Sequence, residues 1–400
     1  MQGPRFSDRS AHEATPNALS IALDAARAAG RSLYDLTVSN PTRAGLPYDD
    51  AAIMRALASP DTLDYAPDAL GLLRAREAIA NDLRAHGVSG AHAAHIVLTA
   101  STSEAYSFVL KVLCDAGDDV LAPEPSYPLL AHLAALEGVR LTPYPLRYDG
   151  QWHIDLDALA RARGPRTRAI LIVSPNNPTG SYVKRYELRA IAALGLPIVA
   201  DEVFARYPLR AAQTAYVSAA HDAEVLTFAM SGLSKLAGLP QLKLAFTHVA
   251  GPAADVHAAL QRLELVGDTF LSVSAPIAHA LPALLDARAV TERAIHARVR
   301  RNYAALRALV GAHSPATLLS AEAGWYACLR LPSVLSDEAW CLRFLADDGV
   351  VAQPGFFFDF ADDAHIVVSL LTEEAVFDAG VVLLLSRVAI LASVPTVGPP

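Results

Sequence analysis

The sequence predicts an α/β fold with two parts. The larger part is a mainly parallel, seven-stranded sheet sandwiched by helices, and a smaller α+β domain is formed by the N- and C-terminal segments. Short apolar runs rich in β-branched residues alternate with amphipathic segments through the middle of the chain, which is typical of buried parallel strands joined by helices. The 400 residues suffice for two domains, at about 100–200 residues per domain.

Seven apolar runs in the central part are predicted to form the large sheet. They are His95–Thr99, Asp119–Ala122, Arg140–Pro145, Arg168–Ser174, Pro197–Ala200, Val225–Met230 and Leu242–Val249. The amphipathic segments between them are predicted to be helices. They are Thr102–Ala116, Tyr127–Leu136, Asp155–Arg163 and Arg185–Leu194. Because ligands of open α/β sheets bind at the carboxyl ends of the strands, the polar residues that follow these runs are the candidate site residues.

The C-terminal part has fewer strands and longer helices. Ala275–Val310 is helical in pattern despite Pro282, and we expect one long connecting helix there. Further strands are predicted near Gly324–Leu331 and His365–Leu370, and the remaining helices at Asp337–Asp347 and Glu373–Ala392. We therefore expect an N-terminal arm over 1–45 that packs with the small domain, a large domain over 46–285 and a small C-terminal domain over 286–400.

The composition excludes several classes of partner. The formal net charge is −8, so no basic surface for nucleic acid or an anionic membrane is indicated. With 53% apolar and 18% charged residues, the chain is not expected to be disordered. The run Val381–Val394 is interrupted by Arg387, and no run reaches the ~18–20 uninterrupted apolar residues of a membrane span.

Cysteine usage and the N-terminal region predict a cytoplasmic protein. The three cysteines, Cys114, Cys328 and Cys341, are widely spaced and form no CxxC or Cys/His cluster. We therefore expect free thiols in a reducing compartment, with neither a disulfide framework nor a metal site. The first 30 residues are charged and contain no apolar core of a secretory signal.

Lysine is scarce in this chain. The 33 basic residues include only four lysines, which are Lys111, Lys184, Lys235 and Lys243. Since arginine cannot perform the covalent chemistry of a primary amine, each remaining lysine is a candidate for a specific role.

Four polar segments follow or adjoin the predicted strands. They are Ala100–Glu104 (ASTSE), Ser174–Gly180 (SPNNPTG), Asp201–Phe204 (DEVF) and Ser231–Gly238 (SGLSKLAG). Each alone has an ordinary interpretation as a helix cap, a turn or a surface carboxylate. GxGxxG after a strand, GxxxxGK[ST] and GxSxG are all absent, so dinucleotide, nucleoside-triphosphate and serine-hydrolase sites lack support.

In this order and spacing, the four segments resemble those of the fold-type I pyridoxal-phosphate-dependent aminotransferases of class I/II, the aspartate aminotransferase superfamily. The resemblance implies pyridoxal 5′-phosphate as cofactor and an amino acid and a 2-oxo acid as substrates. Such a site needs an amine for a Schiff base, a carboxylate at the pyridine nitrogen, donors to the phenolic oxygen, a phosphate cradle and a stacking ring.

The resemblance assigns the two catalytic residues. Lys235 matches the lysine that holds the cofactor as an internal aldimine and then acts as the base that moves the proton. Asp201 matches the carboxylate that keeps the pyridine nitrogen protonated. Asn177 matches the amide that hydrogen-bonds the phenolic oxygen.

The remaining cofactor contacts are implied in the same way. Tyr127 matches the stacking aromatic residue, and Tyr65 matches the tyrosine that reaches the phosphate of the partner subunit, which implies a homodimer. The phosphate cradle is assigned to Ser101, Thr102, Ser103, Ser234 and Lys243, since hydroxyl and backbone N–H groups at a helix N-terminus suit a dianion.

Three positions depart from the family pattern. Phe204 stands where a tyrosine donates to the phenolic oxygen, and Tyr207 is an alternative donor. Lys243 replaces the usual phosphate-binding arginine. Val367, in the strand His365-Ile-Val-Val-Ser369, stands where an arginine binds the substrate carboxylate.

The missing arginine leaves two questions open. Arg43 in Ser39-Asn40-Pro-Thr-Arg43 is the favoured replacement, with Ser39 and Asn40 as further substrate contacts, and Arg206 and Arg5 are alternatives. The other question is the reaction, since the same lysine, aspartate and asparagine serve a C–S β-lyase, a decarboxylase or a cyclase. A non-catalytic ligand sensor is a further alternative, disfavoured by the acidic balance.

Overall fold

The computed structural model describes residues 6–10, 16–210, 217–311 and 314–393. Within them the strands are β1 Tyr34–Asp35, β2 Ile96–Thr99, β3 Asp119–Glu124, β4 Arg140–Tyr148, β5 Trp152–Ile154, β6 Thr167–Val173, β7 Ile198–Asp201, β8 Thr227–Gly232, β9 Ala245–Ala250, β10 Thr317–Leu318, β11 Tyr326–Arg330, β12 Val350–Val351, β13 Gln353–Pro354 and β14 His365–Ser369.

The helices of the same residues alternate with these strands. They are α1 Ala18–Ala28, α2 Asp50–Leu57, α3 Leu73–Ala85, α4 Thr102–Leu113, α5 Leu129–Leu136, α6 Leu156–Ala162, α7 Arg185–Ala192, α8 Leu233–Leu236, α9 Ala253–Phe270, α10 Ala275–Ala287, α11 Ala289–Val310, α12 Asp337–Arg343 and α13 Glu374–Ala392.

The large sheet has the strand order β2-β9-β8-β7-β6-β3-β4-β5. Strands β4, β3, β6, β7 and β8 are parallel neighbours, whereas β9 is antiparallel to both β8 and β2. All seven predicted strands are present, and the predicted α/β fold is confirmed. The eighth strand, β5, is a three-residue antiparallel return from β4 that is too short to show a pattern in the sequence.

Both faces of this sheet are covered by helices. Leu171 and Val199 pack on one face with Phe108 of α4, whereas the neighbouring Ile172 and Ile198 pack on the other face. That second face is covered by α6 and α7, which contribute side chains to the same cluster. Because neighbouring side chains of a strand point to opposite faces, burial on both faces gives the continuous apolar runs of the sequence.

The prediction of one long helix over 275–310 is wrong. The segment forms α10 and α11, which are separated at Arg288, while Pro282 lies inside α10. Arg288 is held in place by two carboxylates, since its Nη2 donates to Asp82 Oδ1 at 2.6 Å and its Nε to Glu292 Oε2 at 3.1 Å. Asp82 is distant in sequence, so local periodicity does not show the tertiary contact that holds Arg288 at this break.

The C-terminal part contains a second sheet of order β10-β11-β14-β13, all antiparallel. Strand β1 from the N-terminal region pairs in parallel with β12. Leu19 and Leu36 share one apolar cluster with Trp340 and Phe377. The domain boundaries given above stay a prediction.

Helix α13 is the one element of the described ranges that is long and apolar enough to cross a membrane by length and composition, with a mean hydropathy of 2.1. One face of it, including Phe377, Val381 and Leu384, is buried in the apolar cluster of the C-terminal part. Arg387 of this helix donates to Asp348 Oδ2 at 2.9 Å. A core helix of a globular protein passes the same composition test.

Candidate active site

A cavity of about 890 Å³ lies where β6, β7 and β8 end. Segments that follow these strands form one side of its wall, and residues of β11, β13 and the turn 355–359 form another. Eleven of the fourteen residues predicted for the site line this cavity. They are Ser39, Ser101, Thr102, Ser103, Tyr127, Asn177, Asp201, Phe204, Ser234, Lys235 and Lys243.

Lys235 enters the cavity from the short helix α8, directly after β8. Its Nζ lies 5.7 Å from the centroid of the Phe204 ring and 5.4 Å from that of Trp325. Burial lowers the pKa of this lysine, against the opposing effect of the Asp201 charge. A larger fraction of the amine is therefore neutral, and nucleophilic, than on a solvent-exposed lysine.

The backbone around Lys235 is fixed by two contacts. The Tyr207 hydroxyl donates to the Lys235 carbonyl oxygen at 2.6 Å. Gly232 lies so close to β9 that a Cβ there would stand 2.8 Å from the Ala245 Cβ and 3.0 Å from the Leu244 carbonyl oxygen. The sequence Ser-Gly-Leu-Ser-Lys therefore needs its glycine for the close packing of β8 on β9.

Asp201 is the last residue of β7, and its carboxylate is hydrogen-bonded at both oxygens. The backbone N–H of Val203 donates to Oδ1 at 3.1 Å, and the Tyr106 hydroxyl donates to Oδ2 at 3.0 Å. Burial raises the pKa of Asp201, while both hydrogen bonds and the Lys235 charge lower it. Tyr106 is a candidate site residue that sequence reasoning missed, although it lies on α4, three residues beyond the predicted cradle.

Asn177 lies in the loop after β6. The preceding Asn176 anchors this loop, because its Oδ1 accepts the Thr179 hydroxyl at 2.9 Å and its carbonyl accepts the Gly180 N–H at 2.8 Å. In contrast, the Asn177 Oδ1 is buried without a hydrogen-bond partner among the described protein atoms. A buried amide with a free hydrogen-bonding atom in a cavity wall is suited to contact a bound molecule.

The N-terminus of α4 forms the other predicted cradle. Ser101 Oγ accepts the Glu104 N–H at 3.2 Å, and Glu104 Oε2 accepts the Ala100 N–H at 2.6 Å. The segment is thus a capping box as well as part of the cavity wall. Lys243 is exposed at the cavity, and its amine has no ion-pair partner among the described residues.

Two aromatic predictions have different outcomes. Tyr127 lines the cavity. Its pKa is raised mainly by burial and further by the charge of Asp201, which indicates that the phenol lies near that carboxylate. Tyr207 does not line the cavity, and its buried hydroxyl donates to the Lys235 carbonyl oxygen. The prediction of Tyr207 as an alternative donor to the phenolic oxygen is therefore wrong. Phe204 packs edge-on against Trp325 with centroids 5.2 Å apart.

The structure does not bring the other predicted residues into this cavity. Tyr65 is 80% exposed, and its side chain lines a separate groove beside Leu271. Asn40 caps a short turn by accepting the Thr42 N–H at 3.1 Å, and Arg43 is exposed.

The alternative arginines are placed elsewhere as well. Arg206 forms ion pairs with Asp82 and Glu292 in a buried cluster outside the cavity wall. Arg5 lies outside the described residues. Within those residues, no group of three or more His, Cys, Asp and Glu side chains is arranged to hold a metal ion.

The sequence profile described as "Aminotransferase class I and II" matches residues 33–379. The chain belongs to this family. The resemblance inferred from the four strand-end segments is therefore confirmed, and family membership implies pyridoxal phosphate as the cofactor, as predicted.

Two curated relatives illustrate the relationship. The chain is 26% identical over 260 residues to the glutamate-pyruvate aminotransferase AlaA of Haemophilus influenzae, and the match covers 64% of each protein. It is 32% identical over 276 residues to the probable N-succinyldiaminopimelate aminotransferase DapC of Mycobacterium tuberculosis, with 66% of each covered. The match thus spans slightly less than two thirds of these relatives.

The fold likeness extends further than the sequence likeness. The alanine aminotransferase structure of Pyrococcus furiosus superposes with a TM-score of 0.86, covering 96% of this chain and 100% of that one, at 20% identity. The resemblance of the two folds therefore includes the C-terminal sheet that closes the cavity.

The residues of the cavity fit pyridoxal phosphate. An amine with a lowered pKa, a carboxylate hydrogen-bonded at both oxygens and a buried amide without a partner line one cavity at Lys235, Asp201 and Asn177. The Lys243 side chain, which has no ion-pair partner among the described residues, and the helix N-terminus at Ser101 supply the charge and donors that a phosphate dianion requires.

Proposed function

We propose that the protein transfers an amino group between an amino acid and a 2-oxo acid, with Lys235 as the residue that binds the cofactor covalently. One observation carries this proposal. The amine of Lys235, the carboxylate of Asp201 and the amide of Asn177 line a single cavity in a chain of this family.

Each residue has a role that follows from its chemistry. When bound, pyridoxal phosphate supplies an electron sink for negative charge at the substrate α-carbon. Asp201, whose ionised form is stabilised by Tyr106 and the Val203 N–H, would keep a proton on the ring nitrogen. Lys235, neutral for a larger fraction of time because it is buried, would take up and return the proton of the substrate α-carbon.

Transamination is preferred over the other reactions that this residue set could serve. The similar proteins are named as aminotransferases acting on glutamate and pyruvate, on N-succinyldiaminopimelate or on tyrosine. These names give no support to a C–S lyase, a decarboxylase or a cyclase. They also differ in substrate, so the donor and acceptor have to be found by experiment.

The test is a panel of amino donors followed by absorbance. A donor alone should convert the bound cofactor to its pyridoxamine form, and a 2-oxo acid should restore the original spectrum. Borohydride treatment of the holoenzyme should leave a pyridoxyl mass increment on the peptide that contains Lys235, and Lys235→Ala should remove both signals. Release of pyruvate and ammonia without spectral conversion would contradict the proposal and indicate elimination.

We propose further that the active unit is a homodimer in which Tyr65 reaches the partner subunit's site. Support comes from the exposed apolar side chains around this tyrosine, since Leu63 is 91% exposed and Phe270 52%. Exposed apolar patches of this kind commonly mark an interface.

A cytoplasmic location is proposed from the cysteines. Cys114, Cys328 and Cys341 are all free thiols, as expected in a reducing compartment. Burial raises the pKa of Cys114 to about 11, so this thiol stays protonated and unreactive.

A further inference from the structure

The C-terminal wall of the cavity carries no arginine or lysine in the described part of the chain. This wall consists of Tyr326, Gln353, Phe356, Phe357, Phe358 and Asp359. The two lysines that line the cavity, Lys235 and Lys243, belong to the segments after β8 and are assigned to the cofactor. A substrate carboxylate therefore meets no side-chain cation of this chain on the C-terminal wall.

Asp359 adds negative charge to this wall. It has no ion-pair or hydrogen-bond partner for its carboxylate among the described residues. Burial raises the pKa of Asp359. The pKa of Glu124 is raised mainly by burial of Glu124 itself and further by the negative charge of Asp359. The effect on Glu124 indicates that the two carboxylates lie near each other, and neither forms an ion pair with a described residue.

Gln353 occupies the position from which a side chain can replace the missing arginine. Val367 of β14 pairs directly with Gln353 of β13, and directly opposite residues of an antiparallel pair place their side chains on the same face. Val367 itself is fully buried in an apolar cluster with Trp152 and Phe358. Gln353, one strand further along the sheet, lines the cavity instead.

The Gln353 amide has an unused hydrogen-bonding atom. Its Oε1 is buried and has no hydrogen-bond partner among the described protein atoms. Leaving a buried polar atom unpaired costs free energy, so such atoms call for a ligand when they line a binding cavity. Besides Asn177 Oδ1, no other buried side-chain atom of this kind belongs to a described residue of the cavity wall.

We propose that Gln353 contacts the polar group on the substrate α-carbon and makes the site accept α-amino carboxamides about as well as α-amino acids. This inference rests on the proposed function. A glutamine amide offers one acceptor and two donors, so a carboxamide can pair with both of its ends. A carboxylate can only accept hydrogen bonds, and a substrate carboxylate would lie on the wall that also carries the negative charge of Asp359.

An arginine at the same place would instead favour the carboxylate. Its guanidinium donates two parallel charge-assisted hydrogen bonds to a carboxylate and has nothing to accept a bond from a carboxamide. The identity of residue 353 should therefore determine the ratio of the two affinities.

The test measures binding apart from turnover. The probes are 2-methylalanine and 2-methylalaninamide, which have no α-hydrogen and cannot be transaminated, and their dissociation constants are measured calorimetrically on the holoenzyme. In the wild type the two constants should agree within about threefold. Gln353→Arg should shift the ratio toward the acid by about tenfold or more, and Gln353→Leu should weaken carboxamide binding by about tenfold.

Two controls accompany this test, one for an intact site and one for the alternative residue. The absorbance of bound cofactor should stay unchanged in both variants, which shows that the site is intact. Arg43→Gln tests the replacement favoured by the sequence. A ratio that moves with residue 43 and not with residue 353, or a wild type that prefers the acid by more than about a hundredfold, would overturn the proposal.

Failure of the proposed function would look different. If no donor of the panel changed the spectrum while the binding ratio still followed residue 353, the proposed reaction would be wrong and the contact at Gln353 would stand.

Discussion

At the scale of single residues, the contact between Tyr106 and Asp201 joins a phenol that the sequence did not indicate to a predicted site residue. The phenol donates to a carboxylate whose pKa is already raised by burial. This hydrogen bond favours the ionised form, and removing it therefore raises the pKa further. Tyr106 would act through Asp201, so the role that we propose for it is positioning and charge control.

We expect Tyr106→Phe to weaken cofactor binding most strongly at acidic pH. A hydrogen bond to a charged group contributes about 1.5–3 kcal/mol, which corresponds to a shift of about one to two pKa units. The pH at which the affinity for pyridoxal phosphate falls by half should move upward by that amount. Fluorescence titrations between about pH 5 and 8 measure this midpoint.

Tyr144→Phe is the matched control for this prediction. Its hydroxyl is buried in the same sheet and donates to the Leu171 carbonyl oxygen at 2.8 Å, without contacting Asp201. The control should lower stability and leave the pH midpoint in place. Equal midpoints in the wild type and in Tyr106→Phe would show that the phenol does not control the charge of Asp201.

Sequence pattern points to a cavity residue where that residue directly follows a strand, and it misses a residue whose partner is remote in the chain. Asp201 and Lys235 are candidates because each comes at or after the end of an apolar run, and the family resemblance supplies their roles. Tyr106 and Asp201 are 95 positions apart, and Lys184 forms an ion pair with Glu322, 138 positions away. Such pairs depend on sheet order, which local pattern does not contain.

At the scale of elements, the start of α4 combines a helix cap with the predicted phosphate cradle. Glu104 accepts the Ala100 N–H and also the Ser272 hydroxyl, each at 2.6 Å. Its own N–H donates to Ser101. The cap keeps the turn that carries Thr102 and Ser103 in place at the cavity.

We expect Glu104→Ala to lower the free energy of unfolding by about 1 kcal/mol, because the cap hydrogen bonds are lost. Glu104→Gln keeps an acceptor oxygen, removes only the charge and should stay close to the wild type. Urea denaturation of the cofactor-free protein measures both variants. If the two variants were destabilised equally, the charge of Glu104 and not its capping geometry would be the stabilising feature.

The elements themselves were predictable to different degrees. The strands of the large sheet are buried on both faces, so their apolar runs are visible in the sequence. Strands β12 and β13 have two residues each. Strand β12 pairs with β1, which lies hundreds of positions earlier in the chain, and β13 pairs with β14, from which a turn separates it. Local sequence pattern therefore contains no sign that Gln353 lies beside Val367.

At the scale of the whole molecule, the described surface has an apolar region that a single chain leaves uncovered. Leu63 and Tyr65 lie just before α3, and Tyr65 borders a groove together with Leu271 from the end of α9. Phe270 at the same place packs on Phe108, with centroids 5.4 Å apart. Covering these side chains with a second copy would bury apolar area and bring Tyr65 to the partner subunit.

We expect the wild type to sediment at twice the mass of one chain and Leu63→Glu to shift it toward the monomer. A buried carboxylate without a partner opposes association strongly, since it loses its hydration. The same variant should bind pyridoxal phosphate more weakly, because Tyr65 would no longer reach the second site. Analytical ultracentrifugation and cofactor titration measure the two effects on the same preparation.

Ile390→Glu is the matched control for the interface. Ile390 is 53% exposed on α13 in the C-terminal part, so the substitution adds the same charge at another exposed apolar position. It should leave both the sedimentation and the cofactor affinity unchanged. A wild type that sediments as a monomer, or dimers that withstand Leu63→Glu, would place Tyr65 outside any shared site and leave the phosphate to Lys243 and the start of α4 alone.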